Sequence, residues 1–108
     1  MVLDRDRTLE LGLLERAAGT PEFADEVLRR VEHYESRNGN TGWARDVDVL
    51  LQEIQEECAD ISGWALGAAL QLDEAQLHRL VVAMALGAAA HREIGELREQ
   101  LALPLDSH

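Results

Sequence analysis

The chain reads as an all-α protein, a small antiparallel bundle of about four helices. Three observations predict this. No stretch sustains the alternation of β-branched residues that marks a strand. Apolar residues recur at helical spacing through two long segments, as in Val47, Leu50, Leu51, Ile54, Cys58, Ile61, Ala65 and Ala68. Start and stop residues, Thr20-Pro21, Asp73 and Pro104, fall where those segments begin and end.

The first helix is expected from about Leu3 to Ala18. Leu9, Leu11, Leu13 and Leu14 supply its apolar surface, Gly12 weakens it, and Gly19 stops it. The second starts at Thr20-Pro21, because threonine caps well and proline suits the first helical position. Glu22, Asp25 and Glu26 then lie at its positive end, and Arg29, Arg30 and Arg37 toward its negative end. Ser36 to Gly42 is a loop by composition.

The third helix is expected from about Trp43 to Leu72. The fourth begins at Asp73, whose side chain forms a capping box with Gln76. Leu77, Leu80, Val81, Met84, Ala85, Ala88 and Ala89 carry it toward Leu101, and Pro104 ends it. Gly63, Gly67, Gly87 and Gly95 lie inside the long helices and either permit close approach or mark a kink. Short connections between long amphipathic helices favour antiparallel neighbours.

The 108 residues suit a single domain over 1–108, and 46% of them are apolar, enough for one modest core. No run approaches the roughly eighteen apolar residues of a membrane span. Charges at Asp4, Arg5 and Asp6 stand where a signal peptide needs apolar residues. Cys58 is the only cysteine, so no internal disulfide forms. These readings place the protein in the cytoplasm. A net charge of −11 opposes nucleic acid and anionic membranes and suits divalent cations. Two long helices on so short a chain leave an apolar stripe to cover, so a homodimer or higher homo-oligomer is expected.

The acids carry the functional signal. Glu32 and Glu35 are spaced i, i+3, as are Glu57 and Asp60, and Glu53 lies one turn before Glu57. Each pair projects from one side of its helix. On the third helix, Asp46, Glu53, Glu57, Asp60 and Trp64 form a stripe at the edge of the apolar face, with no arginine in it. On the second, Glu35 falls among the directions of Phe23, Ala24, Val27, Leu28 and Val31, and a carboxylate aimed there needs a partner. If the two rods face each other, the clustered carboxylates repel unless a cation neutralises them. A divalent ion would let so acidic a chain hold a phosphate chain, and a spare carboxylate would activate water.

The pattern Glu32-His33-Tyr34-Glu35, a spacer of 21 residues, then Glu57-Cys58-Ala59-Asp60 resembles the all-α nucleoside triphosphate pyrophosphohydrolases, the MazG-like group. The segment Glu53 to Trp64, with its aromatic four residues after the aspartate, also looks like the acidic helix of that group. The resemblance covers about Glu22 to Gly87. It implies a four-helix core and cleavage of a nucleotide between its α- and β-phosphates. It makes Glu32, Glu35, Glu57 and Asp60 ligands of Mg2+ or Mn2+, and Glu53 the water-orienting base or a further ligand. Arg37, Asn38, Asn40 and Arg45 flank the loop and would meet phosphate or sugar, while Trp43 or Trp64 would stack a base. The rival expectation is a non-catalytic acidic helical protein that binds or inhibits a protein partner.

His33, His78, His91 and His108 form no His-x-x-x-His pair, and Cys58 has no second cysteine, so a structural zinc site is not expected. Cys58 reads as a buried, inert thiol. Gly39 and Gly42 lack the Gly-Lys-Ser/Thr of a phosphate loop. Glu96, Arg98 and Glu99 read as a solvated face.

Overall fold

The computed structural model describes residues 5–18, 20–39 and 45–103. The chain is all-α. Its helices are α1 (Arg7–Ala18), α2 (Pro21–Asn38), α3 (Val47–Ala69) and α4 (Glu74–Ala102), with no strand among the described residues. Two compact units divide it, Met1–Arg45 and Asp46–His108, and each is an antiparallel helix pair.

In the first unit, α2 starts as the sequence predicts. Thr20 is extended, Pro21 takes the first helical position, and the Ala24 N–H donates to the Thr20 carbonyl at 3.3 Å. It ends where Gly39 adopts φ +69°, a conformation that favours glycine, and donates its N–H to the Glu35 carbonyl at 2.7 Å. Glu10, Leu13 and Leu14 of α1 meet Val27, Leu28 and Val31 of α2, and Leu28 is buried between them. Helix α1 starts at Arg7 rather than near Leu3, with the Asp6 carboxylate accepting from the Leu9 N–H at 3.1 Å. Gly19, the expected stop, lies outside the described residues.

The second unit pairs α3 with α4. Helix α3 starts at Val47, four residues later than its spacing predicts, because Asp46 serves as N-cap residue. Asp46 therefore leaves the acidic stripe. Asp73 forms the predicted capping box: its carboxylate accepts from the Gln76 N–H at 2.8 Å, and its own N–H donates to Gln76 Oε1 at 3.0 Å. Leu51, Cys58 and Ala65, one heptad apart, are the buried line of α3. Gly87 of α4 meets that line. A Cβ on it would stand 3.3 Å from the Cys58 carbonyl oxygen and 3.5 Å from Ile61 Cδ1. The missing side chain is what lets the two backbones come this close.

Gly63 and Gly67 have open space instead. Alanine at Gly67 gains helix propensity and clashes with nothing. Gly67→Ala is expected to stabilise the protein by about 0.5–1 kcal/mol, whereas Gly87→Ala should give no gain. Urea unfolding followed by circular dichroism checks both.

One flank of this hairpin is tied by polar groups. Arg98 forks onto Asp48, with Nε to Oδ1 at 2.8 Å and Nη2 to Oδ2 at 2.9 Å. Its Nη1 donates to Gln55 Oε1 at 2.7 Å, and Gln55 Nε2 donates to the His91 carbonyl at 3.1 Å. Arg98 is thus a clamp between helices rather than part of a solvated face. The hydrogen bonds from Arg98 hold the Asp48 carboxyl below the ordinary carboxylate range.

The other flank is open. At about 100° per residue, Ile54 and Ile61 lie across the buried line of α3 from Gln55 and Asp48. Leu86, Leu97 and Leu101 lie across the contact line of α4 from Gly95 and His91. All five are exposed, Leu86 to 67%. Because the clamp marks one shared side of the pair, these two apolar stripes share the other.

Depressed carboxyls at Asp48 and at Glu10, which Arg5 holds, give the stability a pH dependence. Each contributes stability that is complete above its unfolded pKa, about 4. That contribution is lost as pH falls through the lower folded-state value. Melting temperature should drop as the solution is acidified below about pH 4. The Arg98→Gln variant should show a shallower acid limb.

Candidate functional site

The first acid pair lies on the second half of α2, which stays helical through Glu35 to Asn38. Glu35 is half-buried, as its place among apolar directions predicts, and it has the partner that such burial demands. That partner is Arg5, whose Nη1 donates to Glu35 Oε1. The same guanidinium forks onto Glu10, with Nε to Oε2 at 2.8 Å and Nη2 to Oε1 at 2.7 Å. The side chains of Arg5 and Glu35 are 20% and 24% exposed, so the cluster is partly shielded from water. Bonds to Glu10, then to Glu35, push the Arg5 pKa further up, and Arg5 holds the Glu10 carboxyl down. Glu32 is exposed and accepts from Arg7 Nη1 at 3.1 Å. Both acids of the first pair therefore carry an arginine from the N-terminal segment.

The second pair lies on α3. Glu53, Glu57 and Asp60 are exposed, and so is Trp64, to 82%. This stripe borders the open apolar flank. No arginine and no hydrogen-bond donor holds Glu57 or Asp60 among the described residues. Glu10, Glu26, Glu32, Glu35 and Asp48, in contrast, each hold an arginine. Glu32 and Glu35 belong to the first unit and Glu53, Glu57 and Asp60 to the second. Among the described residues, no three His, Cys, Asp or Glu side chains converge as a ready metal cage. The donor set on α3 does suit a hard cation. Two carboxylates on one helix face leave positions for water and for substrate oxygens, as magnesium prefers.

Of the residues assigned to substrate, Arg37 and Asn38 sit in the last turn of α2, and Asn38 Nδ2 donates to the Tyr34 carbonyl at 3.1 Å. Arg45 Nη2 donates to the Tyr34 hydroxyl at 3.3 Å. Asn40 and Trp43 lie outside the described residues. Arg37 and Asn38 also line a groove of about 530 Å³ with Arg29, Arg30, His33 and Tyr34. The sequence reading used none of those last four as site residues, although their four-residue spacing was there to be read. Cys58 is buried on the α3 line, as expected of an inert thiol. No helix is long and apolar enough to cross a membrane. No family model matches the chain, and no curated protein and no solved structure matches it either.

Proposed function

We propose that the protein is a magnesium-dependent nucleoside triphosphate pyrophosphohydrolase of the MazG-like kind. One observation carries the reading: Glu57 and Asp60 stand one turn apart with no cation beside them among the described residues, next to an exposed indole. Five acids elsewhere, Glu10, Glu26, Glu32, Glu35 and Asp48, hold arginine, and a large aromatic left in water has no packing reason to be there. Carboxylates and an exposed ring on one rigid helix suit a metal-bound phosphate chain and a stacked base.

Glu57 and Asp60 would hold Mg2+ or Mn2+. Such a cation would screen the phosphate charge and polarise the phosphoryl group. Glu53 takes a proton from water, whose oxygen attacks the α-phosphorus. The bond from that phosphorus to the α–β bridging oxygen breaks, and the electron pair leaves with pyrophosphate, giving the nucleoside monophosphate. Trp64, on the same helix as Glu57 and Asp60, would stack the base. A screen of nucleoside triphosphates with magnesium, read as pyrophosphate release, tests the reading. Turnover of at least one nucleotide is expected, and none across the panel overturns it.

The open flank of α3 and α4 supports a second element of the proposal, a homodimer that covers Ile54, Ile61, Leu86, Leu97 and Leu101. The same flank, rimmed by acids, favours the alternative reading, a non-catalytic module that docks a protein partner.

A further inference from the structure

Two parallel rows run along the second half of α2. Arg29, His33 and Arg37 form one at i, i+4, i+8, and Arg30, Tyr34 and Asn38 form the next. Residues four apart stack one above another on a helix, so the rows are adjacent ridges on one face. Together they line the groove of about 530 Å³ and span about 12 Å of helix axis. Arg29, His33 and Arg37 lie away from α1, which packs on Leu28 and Val31, while Tyr34 and Asn38 run along the edge beside Val27.

Charge makes this face unusual in a chain of net charge −11. The two acids within the same stretch, Glu32 and Glu35, are turned aside and held by Arg7 and Arg5. Arg30 shares its charge with Glu26 at 3.1 Å. Arg29 and Arg37 face no carboxylate among the described residues. Arg45 reaches in to the Tyr34 hydroxyl. The result is a cationic strip with an aromatic ring at its centre. Guanidinium forks match phosphate oxygens two at a time, and the ring offers a face to a planar base.

We propose that this strip is a phosphate-binding cradle that takes the polyphosphate chain of a nucleotide. Arg29 and Arg37 grip the chain from its two ends, and His33 and Arg30 lie between them. The inference deepens the nucleotide reading, but it needs neither metal nor turnover, so the two stand or fall separately.

The test is calorimetric titration of the full chain with tripolyphosphate and, separately, with adenosine triphosphate, both free of divalent metal. Saturable binding is expected that weakens as salt is raised. The Arg29→Gln/Arg37→Gln variant should lose at least about tenfold in affinity for both probes. The Arg79→Gln/Arg92→Gln variant removes the same charge from exposed sites on α4 and should bind as the parent does. Tighter binding of adenosine triphosphate than of tripolyphosphate, lost in Tyr34→Leu, assigns the site to nucleotides. Equal affinity assigns it to the polyphosphate chain alone and overturns the nucleotide assignment. Circular dichroism melting separates this from a role in steadying the helix end: such a role lowers the melting temperature and leaves affinity intact. The proposal is overturned if tripolyphosphate does not saturate the protein, or if both double variants weaken binding equally.

Discussion

Asp60→Asn is expected to lower magnesium-dependent pyrophosphate release by about 100-fold or more, the scale on which metal sites respond even to loss of supporting groups. The substitution keeps the shape of the side chain and removes its charge. Asp60 is exposed and bonds to nothing else among the described residues, so the fold has no reason to change. Glu57→Gln should act the same way. The two should not be additive, because residues that hold one ion act as a unit. A helical signal and melting curve like those of the parent, with turnover gone, would assign the loss to the site. Parental turnover in both variants would remove α3 from the chemistry.

Aspartate at both Leu86 and Leu97 is expected to halve the mass of the protein in solution, as read by light scattering on a sizing column. Each leucine is exposed on the open flank of α4, and covering one fully contributes about 1.5–3 kcal/mol. A second copy covers them twice by symmetry. Placing charges there removes the apolar gain and adds a desolvation cost. A like pair of substitutions at Leu66 and Leu70, also exposed but not on that flank, should leave the mass unchanged. A parent protein that already runs as a monomer would overturn the dimer, and the flank would then be left to a different partner.

Local chemistry was the legible part of the fold. Pro21 at the start of α2 and the pairing of Asp73 with Gln76 act through the backbone within a few residues, so the sequence states them directly. The end of α2 was read too early, because Ser36, Arg37 and Asn38, loop-like by composition, stay helical up to Gly39. Tertiary partners were less legible. Arg98 finds Asp48 across 50 positions, and no local pattern sets that pair apart from other exposed charges. The start of α3 was misplaced because Asp46 fits the helical stripe by spacing, yet its carbonyl already opens the helix.

The site shows the same division. That Glu35 would turn inward followed from the apolar directions around it, and so did its need for a counter-charge. That the counter-charge is Arg5 did not follow, since the segment before α1 carries no pattern of its own. The basic rows of α2 could have been found by spacing alone. Glu32 and Glu35, interleaved with them in sequence, hid how little acid that face carries once folded.

The most direct test of a metal held by Glu57 and Asp60 is thermal melting with rising magnesium. For the parent chain the melting temperature should climb by several degrees, since an ion at 100 times its dissociation constant adds about 2.7 kcal/mol. In the Glu57→Gln/Asp60→Asn variant the curve should stay flat. A parent that does not respond to magnesium or manganese, or a variant that responds as strongly as the parent, would contradict the account.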